Sequence, residues 1–127
     1  MQATDPRQIT AAIRNSSTQQ QLATVILHHI DSMNAICLSA AISKLSKIRC
    51  NDPQLYAACV QRYLQFAPDD TARGLSNAVY ALCTARLKVM QQQQAAVQQQ
   101  LVLAFLSKLA SASAQGISIV LYGMARS

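Results

Sequence analysis

The side chains that could do chemistry are few and poorly spaced for it. Four cysteines stand at positions 37, 50, 59 and 83, and no two form a Cys-x-x-Cys pair. The histidines are the neighbours His28 and His29, whose side chains diverge on a helix and so cannot share a metal ion. There is no glutamate, and the acids are five aspartates: Asp5, Asp31, Asp52, Asp69 and Asp70. Asp5-Pro6 and Asp52-Pro53 each join an N-cap acceptor to a proline at the first helical position. Little acidity is left for proton transfer. The sequence holds no glycine-rich phosphate loop and no Gly-x-Ser-x-Gly elbow. No enzyme, no cofactor and no metal is expected.

Cations and tyrosines remain. Eleven basic residues against five acidic ones leave a formal charge of +6, which suits a polyanionic partner. Lys44, Lys47, Arg49, Arg86, Lys88 and Arg126 fall near expected helix C-termini, where the helix dipole favours a cation by ~0.3–1 kcal/mol.

The elements that must position these groups are helices. The chain has 127 residues, 51% apolar and 13% charged, with 3 Gly and 3 Pro. That length fits one domain able to bury roughly two thirds of its unfolded surface, and the composition excludes disorder. The longest strong apolar run, Leu101 to Leu106, is far short of the ~20 residues a bilayer span needs, so no membrane is expected. Caps and 3.6-residue periodicity predict seven helices: 6–15, 18–30 (after Ser17, with Gln20 completing a capping box), 34–48, 53–66, 71–88, one through the glutamine-rich stretch to 110, and 116 to the end. Connections of a few residues make consecutive helices antiparallel.

Three of these helices share one pattern. Leu38, Ala41, Ile42 and Leu45 recur 37 residues later as Leu75, Ala78, Val79 and Leu82, and 42 further on as Ile117, Val120, Leu121 and Met124. Ser39, Ser76 and Ser118 keep the same register. Between them, Leu55, Val60, Tyr63 and Leu64 recur 42 residues later as Val97, Val102, Phe105 and Leu106. Such periods belong to helical hairpins stacked as an α-solenoid. The expectation is an all-α single domain over 1–127: an N-terminal helical pair (1–30), a first repeat (31–67), a second (68–110) and the start of a third (111–127).

The stretches Ser76-Asn77-Ala78-Val79-Tyr80-Ala81-Leu82 and Ile117-Ser118-Ile119-Val120-Leu121-Tyr122-Gly123-Met124-Ala125-Arg126 resemble the octotricopeptide-repeat signature, with Tyr80 and Tyr122 where tryptophan is usual. The segment from Met33 to Ile48 resembles a stretch found there and in related RAP-domain and FAST-kinase-like proteins. The family's Pro-Pro-Pro-Glu-Trp opening is missing, and these 127 residues hold no RAP-type domain. This resemblance implies an RNA-binding module that is a fragment of a longer array. It would act on RNA processing, stability or translation in a chloroplast or mitochondrion, with single-stranded RNA and other proteins of an organelle RNA complex as partners.

With the stripes facing the core, the opposite side of the repeated helix carries Ala40, Ser43 and Lys47; Asn77, Tyr80 and Thr84; Ile119, Tyr122 and Arg126. Arg49 and Arg86 correspond across the 37-residue period. Cations for phosphates and planar groups for bases are what single-stranded RNA needs. The expected contacts are Lys47, Arg49, Asn77, Arg86 and Arg126. Tyr80 and Tyr122 are expected to pack between repeats rather than stack on bases. The alternative is a protein-interaction scaffold of the armadillo type. A basic ribbon on one face favours RNA; dispersed cations beside an apolar groove favour protein. The cysteines, set in apolar helical patterns, are expected to be free thiols in a reducing intracellular compartment. Titrating the unfolded, unreduced protein should count four thiols, and a count of two or zero would refute that.

Overall fold

The computed structural model describes residues 5–84, 91–109 and 112–126. The protein is all-α, with no strand among the described residues. Its helices are α1 (Pro6–Asn15), α2 (Gln19–His29), α3 (Ala35–Lys47), α4 (Pro53–Phe66), α5 (Ala72–Thr84), α6 (Gln91–Leu106) and α7 (Ala114–Arg126). Short 3₁₀ turns follow α2 at Ile30–Ser32 and α4 at Ala67–Asp69.

The Asp-Pro starts work as expected. Asp5 Oδ1 accepts the Arg7 N–H at 3.0 Å, and Asp52 Oδ1 accepts those of Gln54 and Leu55 at 3.0 and 3.3 Å. The capping box of α2 sits one residue later than expected. Thr18 Oγ1 accepts the Gln21 N–H at 3.1 Å, and Gln21 Oε1 accepts the Ser17 N–H at 2.9 Å. The run Ser17-Thr18-Gln19-Gln20-Gln21 offers the same pattern in two registers. α7 begins at Ala114, two residues before Gly116, because Ser113 caps it.

The odd-numbered helices start alike. The carbonyls of Asp5, Asn34, Thr71 and Ser113 accept from Ile9, Leu38, Leu75 and Ile117 at 3.0–3.1 Å. The side chains of Asn34, Thr71 and Ser113 accept the N–H groups of Cys37, Gly74 and Gly116 at 3.0, 3.1 and 3.0 Å. These spacings restate the 37- and 42-residue periods in hydrogen bonds. They also bring in α1, 29 residues ahead of α3, which the sequence had set apart with α2. The turns leading into α3, α5 and α7 close identically: Met33 to Ile30, Asp70 to Ala67, Ala112 to Leu109, at 3.1–3.3 Å.

Helices α1, α3, α5 and α7 pack side by side in that order, with α4 against α3 and α6 against α5. A hydroxyl on each odd helix meets the first turn of the next. Thr10 Oγ1 lies 3.4 Å from Cys37 Sγ, and Ser39 Oγ donates to the Gly74 carbonyl at 3.1 Å. A Cβ on Gly116 would lie 3.4 Å from Ser76 Oγ. Leu38, Ala41, Ile42 and Leu45 are fully buried, as are Leu75, Ala78 and Val79, with Leu82 nearly so. The third copy departs from that pattern. Val120 is buried and Ile117 partly buried, but Leu121 and Met124 are 60% and 46% exposed. Periodicity fixes which way a side chain faces, not whether another helix covers it.

Asp70 closes the expected turn, after the 3₁₀ segment Ala67–Asp69, and is buried there. Its Oδ2 accepts the Tyr63 hydroxyl at 2.5 Å and its Oδ1 the Thr71 N–H at 2.8 Å. The carboxylate occupies the space where a Cβ on Gly74 would stand, and the N-terminus of α5 favours its charge. Burial, then the bond to Asp70, lift Tyr63 far above the usual phenol range, and burial lifts Tyr56 likewise. Burial pushes the Cys59 thiol up to about 12, with Cys50 adding to the shift.

Two predictions follow from this core. Gly74→Ala should cost about 1–2 kcal/mol, because displacing the charged Asp70 bond outweighs the ~1 kcal/mol of helix propensity gained. At the equivalent Gly116 an added Cβ meets the Ser76 and Ser113 hydroxyls only at ordinary van der Waals distance, 3.4 and 3.5 Å, so Gly116→Ala should be neutral or stabilising; equal effects at both sites in urea unfolding would contradict this. Cys59, Tyr56 and Tyr63 keep their protons in the fold where the unfolded chain loses them, so their contribution is full below the ordinary values of 9.0 and 10.0 and drains as pH rises past them. Folding stability read from urea unfolding should therefore fall above about pH 9, by up to ~1.4 kcal/mol per pH unit per group, and the midpoint with it. Tyr63→Phe should make the fall shallower, and a midpoint flat to pH 12 would refute it.

Candidate nucleic-acid interface

The outer face of the odd helices carries two adjoining grooves that share Arg14 and Ile36 along their common edge. The larger, about 820 Å³, runs across α3 and α5 and is lined by Lys44, Lys47, Arg73, Asn77 and Tyr80. The smaller, about 450 Å³, lies between α1 and α3 and adds Arg7. Arg7, Arg14, Lys47 and Arg73 are exposed. Lys44 is half-buried, its Nζ donating to the Arg14 carbonyl at 3.1 Å and so tying α3 to the end of α1.

Charge is unevenly shared. The grooves hold five cations and two carboxylates, Asp5 and Asp70, both of which accept backbone N–H bonds. The remaining described charged side chains balance: Arg49, Arg62 and Lys108 against Asp31, Asp52 and Asp69. Among the described residues, no ion pair involves Arg7, Arg14, Lys47 or Arg73. Arg62, by contrast, donates to the Asp31 carbonyl at 2.9 Å and lies over the Phe66 ring.

Of the expected contact residues, Lys47 and Asn77 come together in the larger groove, which Tyr80, expected to pack between repeats, also lines. Arg49 does not line it. It occupies the left-handed residue that ends α3, at φ 55°, where the Cys50 N–H returns to the Leu45 carbonyl at 2.9 Å. Arg86 lies outside the described residues, as do the side chains of Thr84, Cys83 and Arg126. Cys37, Cys50 and Cys59 are free and buried. Among the described residues no His, Cys, Asp or Glu cluster could hold a metal ion, and no helix is long and apolar enough to cross a membrane.

Sequence reasoning missed Arg7, Arg14, Lys44 and Arg73 as groove residues. The missing signal was the 29-residue register of α1, which places Arg14 level with Ser43 and Tyr80. Arg73 lies in the first turn of α5, away from the helix C-termini where the dipole favours cations, so no terminus signal marks it in the sequence.

Tyr80 and Tyr122, equivalent across the 42-residue period, stack on each other with ring centroids 6.0 Å apart and planes 29° from parallel. They join α5 to α7 while remaining 38% and 52% exposed. A double-mutant cycle with Tyr80→Ala and Tyr122→Ala should give a coupling of about 0.5–1.5 kcal/mol in folding stability; strictly additive losses would mean that the rings do not support each other. Comparison with protein-family models, curated proteins and solved structures finds no match in any of the three.

Proposed function

We propose that this protein is a single-stranded RNA-binding module of the α-solenoid type, with α1, α3, α5 and α7 as the first helices of successive repeats. The observation that carries the reading is the gathering of five cations into two joined grooves while the other charged side chains among the described residues balance. A phosphodiester backbone laid along the grooves would meet Arg14, Lys44, Lys47 and Arg73 in the larger one and Arg7 in the smaller. Asn77 and the 38% exposed Tyr80, both lining the larger groove, would face the bases. Arg126, in the register of Lys47, would extend the row. The octotricopeptide resemblance supports a role in chloroplast or mitochondrial RNA processing, stability or translation, alongside proteins of an organelle RNA complex.

Arrays this short bind mainly through phosphates, so affinity should depend steeply on salt and little on sequence. Replacing Arg14, Lys44, Lys47 and Arg73 with glutamine should flatten the log–log salt dependence by about 3, from ~0.7 per phosphate contact on single strands. Filter binding of an unstructured RNA across a salt series measures this directly. An unchanged slope, or no binding at high micromolar protein in low salt, would sink the proposal and favour the scaffold alternative.

A further inference from the structure

Three successive groove positions on α5 carry three different chemistries: a cation, a carboxamide and a phenol. Arg73, Asn77 and Tyr80 stand at i, i+4 and i+7, so they share one face of the helix, each about 5–6 Å from the next. The equivalent positions do not repeat this combination. They read Arg7, Ala11 and Arg14 in α1, Ile36, Ala40 and Ser43 in α3, and Gln115, Ile119 and Tyr122 in α7. Asn77 is the departure that packing does not explain. Asparagine forms a helix interior less readily than the alanine that α1 and α3 hold at its position. Neighbouring polar side chains have structural partners: Ser39 Oγ donates to the Gly74 carbonyl at 3.1 Å and Ser76 Oγ to that of Arg73 at 2.9 Å. Among the described residues the Asn77 side chain makes no such bond. Half-buried and lining the groove, it presents a donor and an acceptor there.

Tyr80, one turn further on, is held by its stack with the Tyr122 ring while staying 38% exposed. A ring braced in this way gives up little freedom when a base stacks on it. We infer that Arg73, Asn77 and Tyr80 form a subsite for one nucleotide, and that the base it selects is adenine. Arg73 would meet the phosphate, Tyr80 the face of the base and Asn77 its edge. Adenine sets an acceptor ring nitrogen beside its exocyclic amino donor on both the Watson–Crick and the Hoogsteen edge, so a carboxamide can pair with it in two orientations. Along those edges each of the other bases offers a carboxamide one match, and the pyrimidines also give the phenol ring a smaller face to stack on. The inference rests on the RNA reading and adds one read base to a strand otherwise held by its phosphates.

Fluorescence anisotropy at low salt, with a labelled short oligouridine and the same strand carrying one central adenine, tests this. The adenine strand should bind about fivefold tighter or more, as a bidentate amide–base pair gives. Exchanging that adenine for unsubstituted purine, which keeps the ring system and lacks the amino group, should lose most of the gain. Asn77→Ala should remove the preference while oligouridine binding is retained. Its stability in urea should be equal or higher, since alanine is the better helix former. Lower stability with parallel weakening of both strands would mark Asn77 as a packing residue and overturn the inference. Equal affinity of the wild-type protein for the two strands, or a preference that survives Asn77→Ala, would overturn it while leaving the phosphate-binding reading intact. Binding of neither strand at high micromolar protein would overturn both.

Discussion

The row of odd helices depends on how closely each first turn can approach the hydroxyl of the helix before it. Parallel neighbours pack at interaxial distances of about 8–10 Å, and the lower end of that range needs small residues at the crossing. Cys37, Gly74 and Gly116 supply them, each at the third position of its helix, while Thr10, Ser39 and Ser76 face them from the preceding one. The same turns are stopped by Asn34, Thr71 and Ser113, whose side chains satisfy the N–H groups of those small residues. One short motif therefore starts the helix, sets its register and lets its neighbour in. The apolar stripes bury the area that stabilises the stack, but this junction decides where the stripes lie.

The junction between α3 and α5 is the most demanding, because it accommodates a carboxylate. At positions equivalent to Asp70 the chain carries Met33 and Ala112, so the local scaffold does not require an acid there. Asp70 is held by the Tyr63 hydroxyl from α4 and the Thr71 N–H at the head of α5, and it fits only because position 74 has no side chain. It therefore links the even layer to the odd one beneath the larger groove. Its position, capped and screened, leaves the cations around it dominant at the surface. All five groove cations sit on odd helices, so the side-by-side packing of α1, α3 and α5 is what brings them to one surface.

The sequence made the stripes of α3 and α5, both Asp-Pro starts and the 37- and 42-residue periods legible, because each depends on residue type at fixed spacing. Four features were not legible, for separate physical reasons. The 29-residue step to α1 is carried by little more than Ile9, Ile13 and a change of cap from Asp to Asn, too few residues to stand out before hydrogen bonds are seen. The box at Ser17 or Thr18 is degenerate. Asp70 reads as a turn residue beside Pro68 and Asp69, and only the phenol of Tyr63, seven residues away, reveals its burial. The exposure of Leu121 depends on which helices lie nearby, which no periodicity contains. In the grooves, Lys47, Asn77 and Tyr80 followed from the face opposite the stripe, whereas Arg14 and Arg73 required knowing which helices are neighbours.

Amide chemical-shift mapping with a short unstructured RNA tests the central claim most directly, since it reports where the ligand lies and not only whether it binds. The account predicts shifts confined to the outer face of α1, α3 and α5, centred on Arg14, Lys47, Arg73 and Asn77, with Gln61 on α4 and Leu103 on α6 unmoved. Shifts spread evenly over odd and even helices, or centred on Arg49 and Arg62, would contradict it.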